Sequence, residues 1–109
     1  MKRKILFLSH AEEDIYKYAE YLTENAGSEI SKRFGESIFE SLDVLLEGPY
    51  LGVARDYPNS KLAGLRMWPV KNFSDQLIFY LMSDYEIIVV RVLHSSQDIE
   101  NILSNNTIS

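Results

Sequence analysis

Apolar residues crowd the last third of the chain into two dense runs, Leu77-Ile78-Phe79-Tyr80-Leu81-Met82 and Glu86 to Leu93. A strand buried on both faces carries apolar side chains at nearly every position rather than at alternate ones, and both runs have strand length. The pattern predicts strands over Gln76–Met82 and Glu86–Leu93, joined by a tight turn near Asp84 that lacks the glycine a two-residue hairpin prefers. A third strand, Leu65–Val70, precedes them. At the other end of the chain, Lys4 to Leu8 suits a short strand.

The stretch between these strands has a different period. Ala11, Ile15, Tyr18, Ala19, Leu22 and Ala26 recur at helical spacing, with Ser9 and Glu12 placed as a capping box and Gly27 as a left-handed stop. A second helix follows, capped by Ser28 and ended by Gly48-Pro49, and about 28 Å long at 1.5 Å per residue. Its stripe of Ile30, Phe34, Ile38, Ser41 and Leu45 is widened by Phe39, Leu42 and Leu46 beyond the single face a surface helix needs. It should therefore touch both the sheet and the first helix, across an antiparallel hairpin. Pro49–Ala63, with two prolines, Gly52, Asp56 and Asn59, reads as an irregular loop whose length suits a functional segment. Asp98 is placed to cap a short closing helix, and the polar tail Ser104–Ser109 is expected to fray. The predicted fold is α+β: an N-terminal strand, an antiparallel helical hairpin packed on a mainly antiparallel sheet, three C-terminal strands and a short last helix. At 109 residues, with no repeat or linker, the expectation is one domain over 1–109.

Charge and composition narrow the chemistry. The chain has no cysteine, and its two histidines, His10 and His94, are far apart, so no metal site or cofactor is expected. No apolar run reaches the roughly 20 residues that span a bilayer, and Met1 to Leu8 is too short in its apolar part for a signal peptide. A cytoplasmic protein without membrane attachment is expected. The net charge is −5, and residues 11–47 alone hold ten acids against Lys17, Lys32 and Arg33. Nucleic-acid backbones are held by clustered Lys and Arg, which this chain lacks, so direct sequence-specific nucleic-acid binding is not expected.

The run Met67-Trp68-Pro69-Val70-Lys71-Asn72-Phe73, then Leu77-Ile78-Phe79-Tyr80, then Arg91-Val92-Leu93-His94 and Asp98, resembles the C-terminal half of the ParE branch of the RelE/ParE toxins. The acidic first helical turn Ala11-Glu12-Glu13-Asp14 and the pair Leu65-Arg66 extend the likeness over most of the chain. The resemblance implies a toxin of a type II toxin–antitoxin system, of the kind associated with plasmid stabilisation. It implies that the toxin poisons DNA gyrase by binding and is neutralised by a small cognate antitoxin encoded beside it. Relatives in the RelE branch instead cut mRNA on the ribosome. Two positions depart from the family pattern. Leu81 and Gln97 stand where many relatives carry Arg, each change removing positive charge, so an attenuated protein that retains only antitoxin binding is a third reading.

Candidate residues follow. Arg66, Lys71, Phe73, Arg91 and His94 are assigned to the target side, and Phe39, Leu42 and Leu46 to the antitoxin side. Ribonuclease chemistry needs cations around a developing phosphorane and a general acid or base, which Arg66, Lys71, Tyr80, Arg91 and His94 would have to supply. Strand alternation sends Arg91 and His94 to opposite faces unless the strand bends or ends between them, and with Arg already missing at Leu81 and Gln97 the set is too sparse, so no catalytic residue is assigned. Arg91, among apolar neighbours, requires a partner. It either pairs with a carboxylate such as Glu86 or Asp98 or contacts gyrase or antitoxin. His94 is read as a strand-end imidazole bonded to backbone or Asp98. Phe73 is expected in a turn as an exposed anchor.

Overall fold

The computed structural model describes residues 3–105. Strand β1 spans Lys4–Phe7, helix α1 Ser9–Ala26 and helix α2 Ser28–Glu47. A two-residue strand, β2 (Val53–Ala54), and one 3-10 turn, Ser60–Leu62, interrupt the long loop. Strands β3 (Arg66–Val70), β4 (Phe73–Met82) and β5 (Glu86–His94) follow, and α3 (Ile99–Ser104) closes the chain. Of the tail expected to fray, Ser104 ends α3, and residues 106–109 lie outside the described residues.

The α+β architecture is as expected. The five strands form one sheet in the order β1-β5-β4-β3-β2. All neighbours are antiparallel except β1 and β5, which run parallel, with Lys4 opposite Glu86 and Phe7 opposite Val89. Strand β5 is therefore interior, flanked by β1 and β4, while β4 occupies the middle of the sheet. The sheet separates two apolar clusters. On one face α1 and α2 bury Ala11, Leu22, Phe34, Ile38, Leu42 and Leu45 against Ile78, Tyr80, Ile87, Val89 and Val92. On the other, the loop and α3 bury Leu62, Leu65 and Leu103 against Phe79, Val90 and Leu93. This two-sided cover is the reason β5 is apolar at almost every position.

Local chemistry sets the boundaries. The capping box does not form. Helix α1 starts with Ser9 already in its first turn, because the Leu8 carbonyl accepts from the amides of Ala11 and Glu12 at 3.0 and 3.1 Å, and no side chain caps the helix. Gly27 joins the two helices at φ 96°, ψ 161°. That positive φ is the region only glycine enters readily, although ψ is extended rather than left-handed helical. It ends α1 and starts α2 in a single residue, and Ser28 lies inside α2 rather than capping it. In the β4–β5 turn, the Ser83 hydroxyl accepts from the amides of Tyr85 and Glu86, and no residue of the turn takes the positive φ that would call for glycine.

Phe73 is not in a turn. The β3–β4 turn is made by Lys71 and Asn72, the latter at φ 65°, and Phe73 already opens β4. Its ring is half-buried, edge-on to Phe34 at 5.3 Å. Asn tolerates this left-handed backbone better than most residues, and β4 begins at Phe73, three residues before the predicted Gln76.

Candidate functional site

Three features concentrate polar or exposed apolar chemistry: a clamped loop beside β3, a polar cleft at the end of β5, and an apolar groove between the two long helices.

The loop is held by Tyr80 and Arg66. The Tyr80 hydroxyl, fully buried, donates to the Pro49 carbonyl at 2.6 Å and accepts from the Gly52 amide at 3.0 Å. Burial pushes its pKa above the ordinary tyrosine value, partly opposed by the Gly52 amide and the Arg66 charge. A side chain at Gly52 would collide with that hydroxyl, so only glycine fits there. Arg66, paired across the sheet with Tyr80, donates to the carbonyls of Gly52 and Tyr50 at 2.7 and 3.2 Å and lies 5.4 Å from the Tyr50 ring centroid. The result is a fixed loop presenting Tyr50, Leu51 and Val53 to solvent.

The cleft, about 210 Å³, is lined by Asp14, Lys17, Tyr18, Gln76, His94 and Gln97 among others. Asp14 in its wall is ion-paired with Arg91. Arg91 donates through Nε and Nη2 to both carboxylate oxygens of Asp14, at 2.7 and 2.8 Å, with 22% and 13% of the two side chains exposed. The partner is therefore Asp14 of α1, neither Glu86 nor Asp98. The same carboxylate accepts from the Val92 amide at 3.0 Å. The reason lies in the sheet: β1 pairs with β5 only as far as Val89, so beyond that point the edge amides of β5 need other acceptors. Asp14 takes Val92, and the Gln97 side-chain oxygen takes His94 at 2.7 Å. The hydrogen bond to Asp14 raises the Arg91 pKa above its ordinary value, against the opposing effect of burial.

A bulge sits at the same place. Tyr80 pairs with Val89 and Phe79 with Arg91, which leaves Val90 as an extra residue on β5. Arg91 thus lies opposite Phe79 and His94 opposite Gln76, on opposite faces as alternation requires. The Arg91 guanidinium reaches α1 around the strand edge that β1 leaves open. His94 Nδ1 accepts from the Ser96 amide at 3.0 Å and lies 2.8 Å from the Ser96 hydroxyl, which places the proton of the neutral ring on Nε2. Among the described residues no carboxylate hydrogen-bonds this ring, so the Ser–His contact lacks the third, orienting group of a nucleophilic triad. Asp98 caps α3, accepting from the Asn101 amide at 3.4 Å.

The five target-side candidates do not converge. Phe73 and His94 lie near Tyr18 at one end of the sheet, whose ring is 6.4 Å from His94. Arg66 sits opposite Tyr80, four residues along β4 from Gln76, hence about 13 Å away at 3.3 Å per residue. Lys71 lies in the β3–β4 turn, paired with Glu40 at 3.0 Å, while its amide donates to the Ser41 hydroxyl. Among the described residues no group of three or more His, Asp or Glu side chains could hold a metal ion, and no helix is long and apolar enough to cross a membrane.

The groove, about 540 Å³, is lined by Phe7, Ile15, Tyr16, Ala19, Gly35 and Phe39 with Glu12 at its edge. Of the three antitoxin-side candidates, only Phe39 is presented: it is 60% exposed and stands edge-on to Phe7 at 6.2 Å. Leu42 is fully buried in the helix–sheet core, and Leu46 packs partly against it. The stripe that widened α2 is thus divided between core and surface. The α1 wall escaped the sequence reading, although Glu12, Tyr16 and Ala19 share one helical face and Tyr16 stands exposed on it. Gly35 is the least expected lining residue. A mid-helix glycine costs about 1 kcal/mol relative to alanine, its φ is not positive, and a Cβ there would meet nothing.

Comparison with known proteins agrees with this geometry. A structure of the chromosomal ParDE toxin–antitoxin system from P. aeruginosa has the same fold, with a TM-score of 0.67 at 16% sequence identity over 85% of this chain and 96% of that one. Among curated proteins no match is found. The family model of the ParE toxin of type II toxin–antitoxin systems matches residues 5–99, and with that span covering nearly all of the helical hairpin and the sheet, the chain belongs to the ParE toxin family.

Proposed function

We propose that this chain is a toxin that acts by binding rather than by catalysis, with DNA gyrase as its target and a cognate antitoxin as its inhibitor. The observation that carries this reading is the contrast between the two solvent-facing hollows. The groove between α1 and α2 is apolar and open, as a surface for a partner segment should be. The cations that ribonuclease chemistry would need are already engaged: Arg91 by Asp14, Lys71 by Glu40, Lys17 by Glu13 and Arg66 by loop carbonyls. Stabilising a phosphorane would require two or more such charges free at one point. The antitoxin side is then Phe39 with the α1 wall, and the target side Phe73 and His94 near Tyr18; Arg66, Lys71 and Arg91, engaged elsewhere, do not converge on them.

Inducible expression with and without the adjacent small gene, followed by a DNA supercoiling assay and an mRNA cleavage assay, tests this. Growth arrest with poisoned gyrase and intact mRNA is expected, relieved by the neighbour. Arrest with gyrase unaffected would sink the assignment of the target.

Attenuation is supported by one observation. Leu81 packs in the α3-side cluster and Gln97 bonds the His94 amide, so both neutral residues have structural employment where the family pattern has Arg. Restoring charge with Leu81→Arg and Gln97→Arg should then increase growth inhibition.

A further inference from the structure

Resting on the reading of the groove as the antitoxin's seat, we infer that its occupant is an amphipathic segment with basic flanks, and that Gly35 is where that segment comes closest to the α2 backbone. The charge of the rim is one basis. On α1, Glu12 and Glu20 lie one helical turn either side of Tyr16; on α2, Glu36 adjoins Gly35 and Asp43 lies one turn beyond Phe39. All four are exposed. Against them the rim carries Lys32, one turn before Glu36. Lys17 is on another face of α1 and is paired with Glu13 at 2.9 Å. An apolar floor within an acidic rim selects a segment whose apolar stripe is bordered by Lys or Arg, and repels an acidic one.

Gly35 is the second basis, and it is independent of charge. Its backbone conformation is one any residue adopts, and a Cβ would touch no neighbour, so neither turn geometry nor packing within the chain accounts for the missing side chain. The helix carries the penalty of a central glycine at a residue that lines the groove. A side chain there would project into the space between Phe39 and the α1 wall. Glycine keeps that space open for a close backbone approach, which stability alone would have closed with alanine.

The test uses the full chain, the antitoxin encoded beside it, and overlapping 15-residue peptides covering that antitoxin, with binding followed by calorimetry. Gly35→Ala should raise the melting temperature and still weaken antitoxin binding severalfold. Gly35→Met should weaken it a hundredfold or more while the circular dichroism of the fold persists. The peptide that binds should carry net positive charge, and its affinity should fall about tenfold when Glu12 and Glu36 are both changed to Gln. Full affinity for Gly35→Met, or an acidic binding peptide, overturns the inference while leaving antitoxin recognition intact. An antitoxin that does not bind the wild-type chain at all overturns the underlying reading instead.

Discussion

Replacing Asp14 with alanine should be among the most damaging single changes outside the apolar core. The substitution removes the acceptor of two charge-assisted hydrogen bonds from Arg91, at 2.7 and 2.8 Å, and of a third from the Val92 amide at 3.0 Å. Rupture of a fully desolvated ion pair costs about 3–5 kcal/mol, whereas an exposed pair contributes about 0–1 kcal/mol. With 22% of Arg91 and 13% of Asp14 exposed, the freed guanidinium can recover part of its hydration, but the strand-edge amide of Val92 cannot find another acceptor in the chain. An intermediate loss of about 2–3 kcal/mol is expected. At roughly 4–8 °C per kcal/mol for domains near this size, the melting temperature should fall by about 10–20 °C. Asp14→Asn, which retains an acceptor for Val92 but no charge, should lose about half as much. Urea unfolding followed both by circular dichroism and by the fluorescence of Trp68, the one tryptophan, supplies the free energies. Arg91→Ala and the double variant complete the cycle. A coupling energy below about 0.5 kcal/mol would place this pair with ordinary surface bridges and refute the strand-edge reasoning.

Three further outcomes are expected. Tyr80→Phe orphans the Pro49 carbonyl and the Gly52 amide and should cost about 1–3 kcal/mol, read from the urea midpoint. Because burial raises the Tyr80 pKa, the unfolded chain releases this proton first, near pH 10, so native stability falls as pH rises from there toward the folded value. The drop in urea midpoint between pH 8 and pH 10.5 should therefore be smaller in Tyr80→Phe than in the wild type. Asn59→Ala removes the amide that donates to the carbonyls of Leu103 and Asn105 and the oxygen that accepts from Lys61, so about 2–3 kcal/mol should be lost, with hydrogen-exchange protection in α3 falling most. Lys17→Ala, by contrast, breaks an exposed pair on one helix and should leave the urea midpoint essentially unchanged, which is a check that charge removal by itself is harmless.

Most of the fold was legible because burial period and cover are linked. Nearly unbroken apolar runs require two covered faces, and β5 has them; the wide stripe of α2 requires two contacts, and Leu42 meets the sheet core while Phe34, edge-on to Tyr18, meets α1. What the sequence withheld were the meetings of distant residues. Period tells which way a side chain faces, not which strand lies beside it, so the parallel pairing of β1 with β5 was not visible. Nor was the edge beyond Val89 that draws in Asp14, and the carboxylates near Arg91 in sequence were the natural but mistaken partners. The missed groove wall has a simpler cause. Tyr16 reads as a flanking residue on its own helix and becomes a wall only when Phe39 faces it from the next.

The pairing of β1 with β5 also orders events at the ribosome. Lys4 leaves the tunnel first, yet its partner Glu86 follows 82 residues later. Local contacts let the helical hairpin assemble while translation continues, but β1 must wait for β5 before it can dock. Phe7, carried by that strand, completes the wall beside Phe39. A chain in which β5 has not yet been made therefore lacks the finished wall of the groove.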